Sequence, residues 1–145
     1  LTLFAGKEVY MATKNVLIID NDTDFISRLN KYFWNAGINN VLIAPTVNDA
    51  LEIIGIQTPN IVIIDFLNED MCSLDAIKKI SEINNSIRVL VSTDCYNQEY
   101  CNAVFDAGAD AFFEKNNFEE DMNIILSAMP KSLEYLFDKF MLSKN

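Results

Sequence analysis

At 145 residues, half of them hydrophobic, the chain is long enough to bury a core as one domain and too apolar to stay disordered. Its 11 basic and 21 acidic residues leave a net charge of −10, which argues against a nucleic-acid or anionic-membrane surface and suits a protein that handles cations or meets a basic partner. It has no histidine and three cysteines. This excludes Ser-His and Cys-His nucleophiles, histidine-ligated zinc and a phosphohistidine, and it favours a reducing cytoplasm over a disulfide framework.

Residues 1–13 carry a short greasy patch at Leu3, Phe4 and Ala5 but no signal-peptide pattern, and Met11 opens a more natural start. They are expected to be a processed leader or an expression remnant. Five short, continuous, β-branched runs follow: Val16–Ile19, Val41–Ala44, Ile61–Ile64, Val89–Val91 and Ala111–Phe113. Continuity rather than alternation predicts strands covered on both faces, as in a parallel sheet.

Between the runs lie helical stripes. Ile26, Leu29 and Phe33 form the first, with Gly37 at a C-cap position. Ala50, Leu51 and Ile54 form the second, entered through Thr46 to Asp49. Leu74, Ile77, Ile80 and Ile83 form the third, with Ser73 as N-cap. Tyr100, Val104 and Ala107 precede Gly108, and Phe118, Met122, Ile125, Leu126 and Met129 close the series. Five strand–helix alternations predict a doubly wound α/β domain over residues 14–130, with ligands outside the carboxyl ends of its strands. Residues 131–145 keep helical spacing at Leu133, Leu136, Phe137, Phe140 and Met141, as an amphipathic helix, a dimer contact or a linker. No apolar run approaches the ~18 residues of a membrane span.

Asp20, Asp65, Thr93 and Lys115 each end or directly follow a predicted strand, and Asp22 stands beside the first. A parallel sheet delivers all of them to one edge. Clustered carboxylates repel one another unless a cation joins them, and hard oxygen donors suit Mg²⁺. A lysine can then hold phosphoryl oxygens as a point charge and a threonine can donate a hydrogen bond. A carboxylate attacking phosphorus would form an acyl phosphate.

Across roughly Asn15 to Met129 the chain resembles the receiver domain of two-component response regulators, the CheY-like family. VLIIDND (16–22), IVIID (61–65), IRVLVST (87–93) and AGADAFFEK (107–115) carry the likeness, in order and at matching intervals. The resemblance implies a flavodoxin-like (βα)5 fold of strand order 2-1-3-4-5. It implies that Asp65 is the phosphoacceptor, and that Asp20, Asp22, Asp65 and the backbone carbonyl near Leu67 hold Mg²⁺, with Asn21 a further donor. Thr93 would be the switch hydroxyl, Lys115 the phosphate partner and Phe112 the switch aromatic. The implied partner is a cytoplasmic histidine kinase or phosphotransfer protein, with output to an effector domain or protein. Such a domain is a switch that assists its own phosphorylation and dephosphorylation, not a turnover enzyme.

The chain departs from the family pattern at several points. Asn21 stands where a second acid is usual, so one negative charge is missing. A unit-charge interaction at ~4 Å with an effective dielectric near 20 is about 4 kcal/mol, partly offset by reduced carboxylate repulsion, so weaker Mg²⁺ binding is expected. FLNEDMCSL after Asp65 lacks the usual Pro and Gly, and Asn116 replaces the proline that commonly follows the lysine. Leu67 and Cys95 would flank the path of a hydrolytic water without orienting it, which implies slow phosphate loss.

Two rivals remain: a receiver-like interaction module that is not phosphorylated, favoured by Asn21 and the altered loops, and a flavodoxin-like cofactor carrier. The acidic, glycine-free turn DNDTD would repel a cofactor phosphate and weighs against the second. Asp20-x-Asp22-x-Asp24 is not an EF-hand, because Phe25 and Lys31 occupy its glycine and glutamate positions. Cys72 and Cys95 are read as incidental thiols rather than a redox or metal pair.

Overall fold

The computed structural model describes residues 15–67 and 73–127. Five strands, β1 (Asn15–Ile19), β2 (Asn40–Ala44), β3 (Ile61–Asp65), β4 (Arg88–Thr93) and β5 (Ala111–Glu114), form one parallel sheet in the order β2-β1-β3-β4-β5. Helices α1 (Thr23–Asn35), α2 (Val47–Ile56), α3 (Ser73–Ile83), α4 (Gln98–Ala107) and α5 (Phe118–Ser127) alternate with them. The expected flavodoxin-like architecture is therefore present. Residues 1–13 and the apolar tail 131–145 lie outside the described residues, as do Cys72 and Met129.

The pleat sends alternate strand residues to two cores. Leu17, Ile19, Val62, Ile64, Val89 and Val91 pack with α2, α3 and α4. Val16, Ile18, Ile61, Ile63, Leu90 and Phe113 pack with α1 and α5. Each isoleucine or phenylalanine buried in this way contributes about 1.5–3 kcal/mol, and this two-sided demand is why the strands read as continuous apolar runs.

The helix boundaries follow local chemistry. Asp22 caps α1 by accepting from the Phe25 amide at 3.1 Å. Thr46 caps α2 by accepting from the Asp49 amide at 3.1 Å, while its hydroxyl donates to Asp49 Oδ2 at 2.8 Å. Gly108 ends α4 at φ +115°, a backbone conformation that favours glycine, and a Cβ there would stand 2.9 Å from the Ser81 hydroxyl of α3.

Some expected details differ. Ser73 is the first residue of α3 rather than its cap, and its hydroxyl donates to the carbonyls of Phe66 and Asp65. Ile83 is exposed at the end of α3, and in α4 Cys101, not Tyr100, joins Val104 and Ala107 in the core. Tyr100 instead stacks on Phe66, ring centroids 4.6 Å apart, because it lies at the loop-facing start of its helix. Among the described residues, no helix is long and apolar enough to cross a membrane.

Candidate functional site

The carboxyl edge of the sheet gathers residues that are far apart in sequence. Asp20 directly follows β1, Asp65 ends β3, Thr93 ends β4, and Lys115 leaves β5 as the first residue of a short 3-10 turn, Lys115–Asn117. Lys115 Nζ lies 3.0 Å from Asp20 Oδ2, 3.6 Å from Asp65 Oδ1 and 3.7 Å from Asp22 Oδ2. The lysine is 4% exposed, so its ammonium is the charge that allows three carboxylates to converge at the head of a hydrophobic sheet.

Each carboxylate is also held locally. Asp20 Oδ1 accepts from the Asp22 amide at 2.9 Å, while the buried Oδ2 makes no hydrogen bond and meets the ammonium as an ion pair only. Asp22 divides its oxygens between capping α1 and facing Lys115. Asp65 Oδ1 accepts from the Leu67 amide at 3.4 Å. Asn21 is exposed between the two aspartates.

The protonation equilibria reflect this crowding. Burial pushes the Asp65 carboxyl above its ordinary value, as do the charges of Asp20 and Asp94; Lys115 and the Leu67 amide pull the other way and do not cancel the rise. Burial alone would lower Lys115, but the close ion pair with Asp20 at 3.0 Å, together with the charges of Asp65 and Asp94, leaves it raised. The site therefore favours the charged form of Lys115 and disfavours that of Asp65.

The Thr93 hydroxyl donates to the Cys95 carbonyl at 3.0 Å and accepts from the Cys95 amide at 3.3 Å. Phe112, expected as the switch aromatic, is buried, with its ring 6.1 Å from Phe66 and 5.9 Å from Tyr96. Leu67 and Cys95 are both exposed.

The donors fit a hard divalent cation in kind: three carboxylates, one with a buried oxygen lacking a hydrogen bond, beside the loop that carries the Leu67 carbonyl. Among the described residues, however, no three acidic or thiol side chains are spaced to hold a metal in this arrangement. The lysine ammonium stands between the carboxylates instead.

Several contributors were not legible in the chain. Asp94 adds a fourth negative charge, signalled only by its place directly after Thr93. Phe25 offers its ring to Lys115 Nζ at 4.9 Å, and Arg28 donates to the Lys115 carbonyl at 3.3 Å. Both lie on α1, about 90 residues earlier, and no sequence interval announces them.

Comparison with known proteins agrees with this geometry. The model of the response regulator receiver domain matches residues 16–127, and the chain belongs to that family, whose members act generally as phosphoacceptor switches in two-component signalling. Its fold is similar to a CheY-like receiver domain protein from Methanospirillum hungatei JF-1, at 23% identity and TM-score 0.71, covering 87% of this chain and 98% of that one. It is also similar to a response regulator from Burkholderia pseudomallei with a phosphorylated aspartic acid, calcium ion and citrate, at 21% identity and TM-score 0.75, covering 91% and 75%. A third similar structure is the response regulator DrrB of Thermotoga maritima, at 19% identity and TM-score 0.71, covering 81% of this chain and 52% of that one. No curated protein matches the chain.

Proposed function

We propose that this receiver domain accepts a phosphoryl group on Asp65 from a cytoplasmic histidine kinase or phosphotransfer protein. The observation that carries this reading is the buried Lys115 ammonium, within 4 Å of Asp65, Asp20 and Asp22 at the carboxyl edge. An Asp65 oxygen attacks phosphorus, the P–O or P–N bond to the donor breaks, and the leaving group departs with the bonding electrons. Lys115 is placed to pair with the new phosphoryl oxygens as its contact with the Asp65 carboxylate is exchanged for them. Mg²⁺, held by Asp20, Asp22, Asp65 and the Leu67 carbonyl with Asn21 as a neutral donor, would supply charge neutralisation for an anionic donor meeting an anionic nucleophile.

The Thr93 hydroxyl then exchanges its Cys95 partner for a phosphoryl oxygen. Phe112, packed between Phe66 and Tyr96, carries the change toward α4 and a protein partner or effector domain. In this reading residues 14–130 form the switching unit, and 131–145 serve as a linker or dimer contact. An unchanged solution mass after truncation at Pro130 would remove the dimer option.

Incubation with acetyl phosphate and Mg²⁺, followed by intact mass, tests the central step. The expected result is a gain of one phosphoryl group that is lost in Asp65→Asn and suppressed by chelating the metal. No gain, or a gain that persists in Asp65→Asn, would leave the unphosphorylated interaction module, which Asn21 favours. With Leu67 and Cys95 unable to orient a water, the acyl phosphate should survive for minutes or longer at neutral pH; decay within seconds contradicts this.

A further inference from the structure

Lys115 has to project its ammonium to within 3.0–3.7 Å of three carboxylates from a backbone that has just left the sheet. It opens a three-residue 3-10 turn whose next two residues, Asn116 and Asn117, are exposed. A short turn of this kind has little packing of its own to fix where a four-carbon side chain begins. An anchor is supplied by the neighbouring helix α1. Arg28 on α1 donates from Nη2 to the Lys115 carbonyl at 3.3 Å, across 87 positions of sequence.

The guanidinium is itself braced. Its central carbon lies 5.2 Å from the ring centroid of Phe118 and 5.8 Å from that of Phe25. These two rings meet edge to face at 5.5 Å and are both buried. Phe25 also takes the Lys115 ammonium at 4.9 Å, so one aromatic ring guides both the anchor on the lysine backbone and the charge at the end of its side chain.

We infer that Arg28 is a positioning residue for Lys115: it grips the lysine carbonyl so that the ammonium is delivered among Asp20, Asp22 and Asp65. The kinetic consequence rests on the phosphoacceptor reading of Asp65, whereas the placement of the lysine does not. Arg28 is solvent-exposed, so a purely decorative arginine lying over two rings would affect stability slightly and the lysine not at all. The planar fork matters to the grip. A lysine at this position keeps the charge but loses the stacked, directional donor, whereas a glutamine keeps an amide donor without charge.

The test uses the full chain with carbon-13-labelled lysine, the Lys115 signal being assigned by its loss in Lys115→Met. In the wild type the Lys115 methylene resonances should be displaced by the Phe25 ring current. In Arg28→Met and Arg28→Lys they should return toward the position of an exposed lysine, and Arg28→Gln should restore them in part. Phosphorylation by acetyl phosphate should slow roughly three- to tenfold in Arg28→Met, the scale of one net hydrogen bond. The same substitution in a Lys115→Met background should have no further effect, because a residue acting through the lysine is silent without it.

Unmoved lysine resonances in folded Arg28→Met would overturn the inference, as would an equal loss of rate in both backgrounds. If Arg28→Met does not fold, Arg28→Gln and Arg28→Lys decide: equal lysine spectra in the two refute the grip. If the wild type takes no phosphoryl group, the reading of Asp65 falls by itself and the lysine spectra alone decide the role of Arg28.

Discussion

The two edges of the sheet handle polar groups in opposite ways. At the amino edge three asparagines stand side by side on adjacent strands, Asn40 aligned with Asn15 and Asn60 directly before Ile61. The Asn40 amide donates to the Asn15 side chain, and the Asn15 backbone amide donates to Asn60 Oδ1 at 2.8 Å. These groups are neutral, and the charges at the same edge are matched one to one, Arg88 facing Asp110 at 3.7 Å while Asp110 Oδ2 accepts from the Val89 amide at 2.9 Å. At the carboxyl edge Asp20, Asp22, Asp65 and Asp94 converge on one lysine, with a buried oxygen of Asp20 left without a hydrogen bond. The amino edge spends its polar atoms on closing the sheet, and the carboxyl edge stores unrelaxed charge. Local conflict of that kind is characteristic of a working site on an otherwise consistent fold.

Removing the one cation should give the largest effect. Lys115→Met leaves several carboxylates facing each other, two of them largely buried, and should cost about 3 kcal/mol in magnesium-free buffer at pH 7. Urea denaturation measures it, and added Mg²⁺ should recover part of the loss. A cost below that of an ordinary surface substitution would mean that the carboxylates are not electrostatically dependent on the lysine. At the amino edge Asn60→Ala removes one exposed hydrogen bond and should cost about 1 kcal/mol or less by the same measurement, with no dependence on Mg²⁺. A metal-dependent change there would erase the contrast between the edges.

The smallest effect should have the opposite sign. The Asp65 pKa is raised in the folded state, so the folded protein binds this proton more tightly than the unfolded chain does. The stability linked to Asp65 is therefore fully present below the unfolded carboxyl pKa and is lost as pH rises through the higher folded value. Asp65→Asn removes that loss and should raise the melting midpoint by a few degrees at pH 7. The advantage should shrink as pH falls through the folded carboxyl pKa and vanish below the unfolded one. A midpoint lowered at pH 7 would show that the pairing with Lys115 outweighs burial and the neighbouring charges.

Much of the fold was legible because parallel strands covered on both faces must be continuously apolar. Val16–Ile19 and Ile61–Ile64 announced themselves in that way, and Gly108 marked a helix end whose backbone favours glycine. The boundaries that slipped were those decided by neighbours. Ile83 keeps helical spacing yet lies beyond the core, and Tyr100 leaves its stripe for the face of Phe66. Periodicity reports which side of a helix is apolar, not whether another element reaches that far.

The same division holds for the site. Strand-end placement brought Asp20, Asp65, Thr93 and Lys115 to one edge, because a parallel sheet puts all its carboxyl ends on the same side. Sequence by itself therefore determined the fold class, the family and the edge at which charged side chains are concentrated. Only the tertiary structure decided that Lys115 sits between the carboxylates, that Thr93 is turned to Cys95, that Phe112 is packed between Phe66 and Tyr96, and that Phe25 and Arg28 hold the lysine in place. The physical reason is that strand direction is encoded in local pattern, whereas the side-chain distances that set charge balance arise where helices from different parts of the chain pack together.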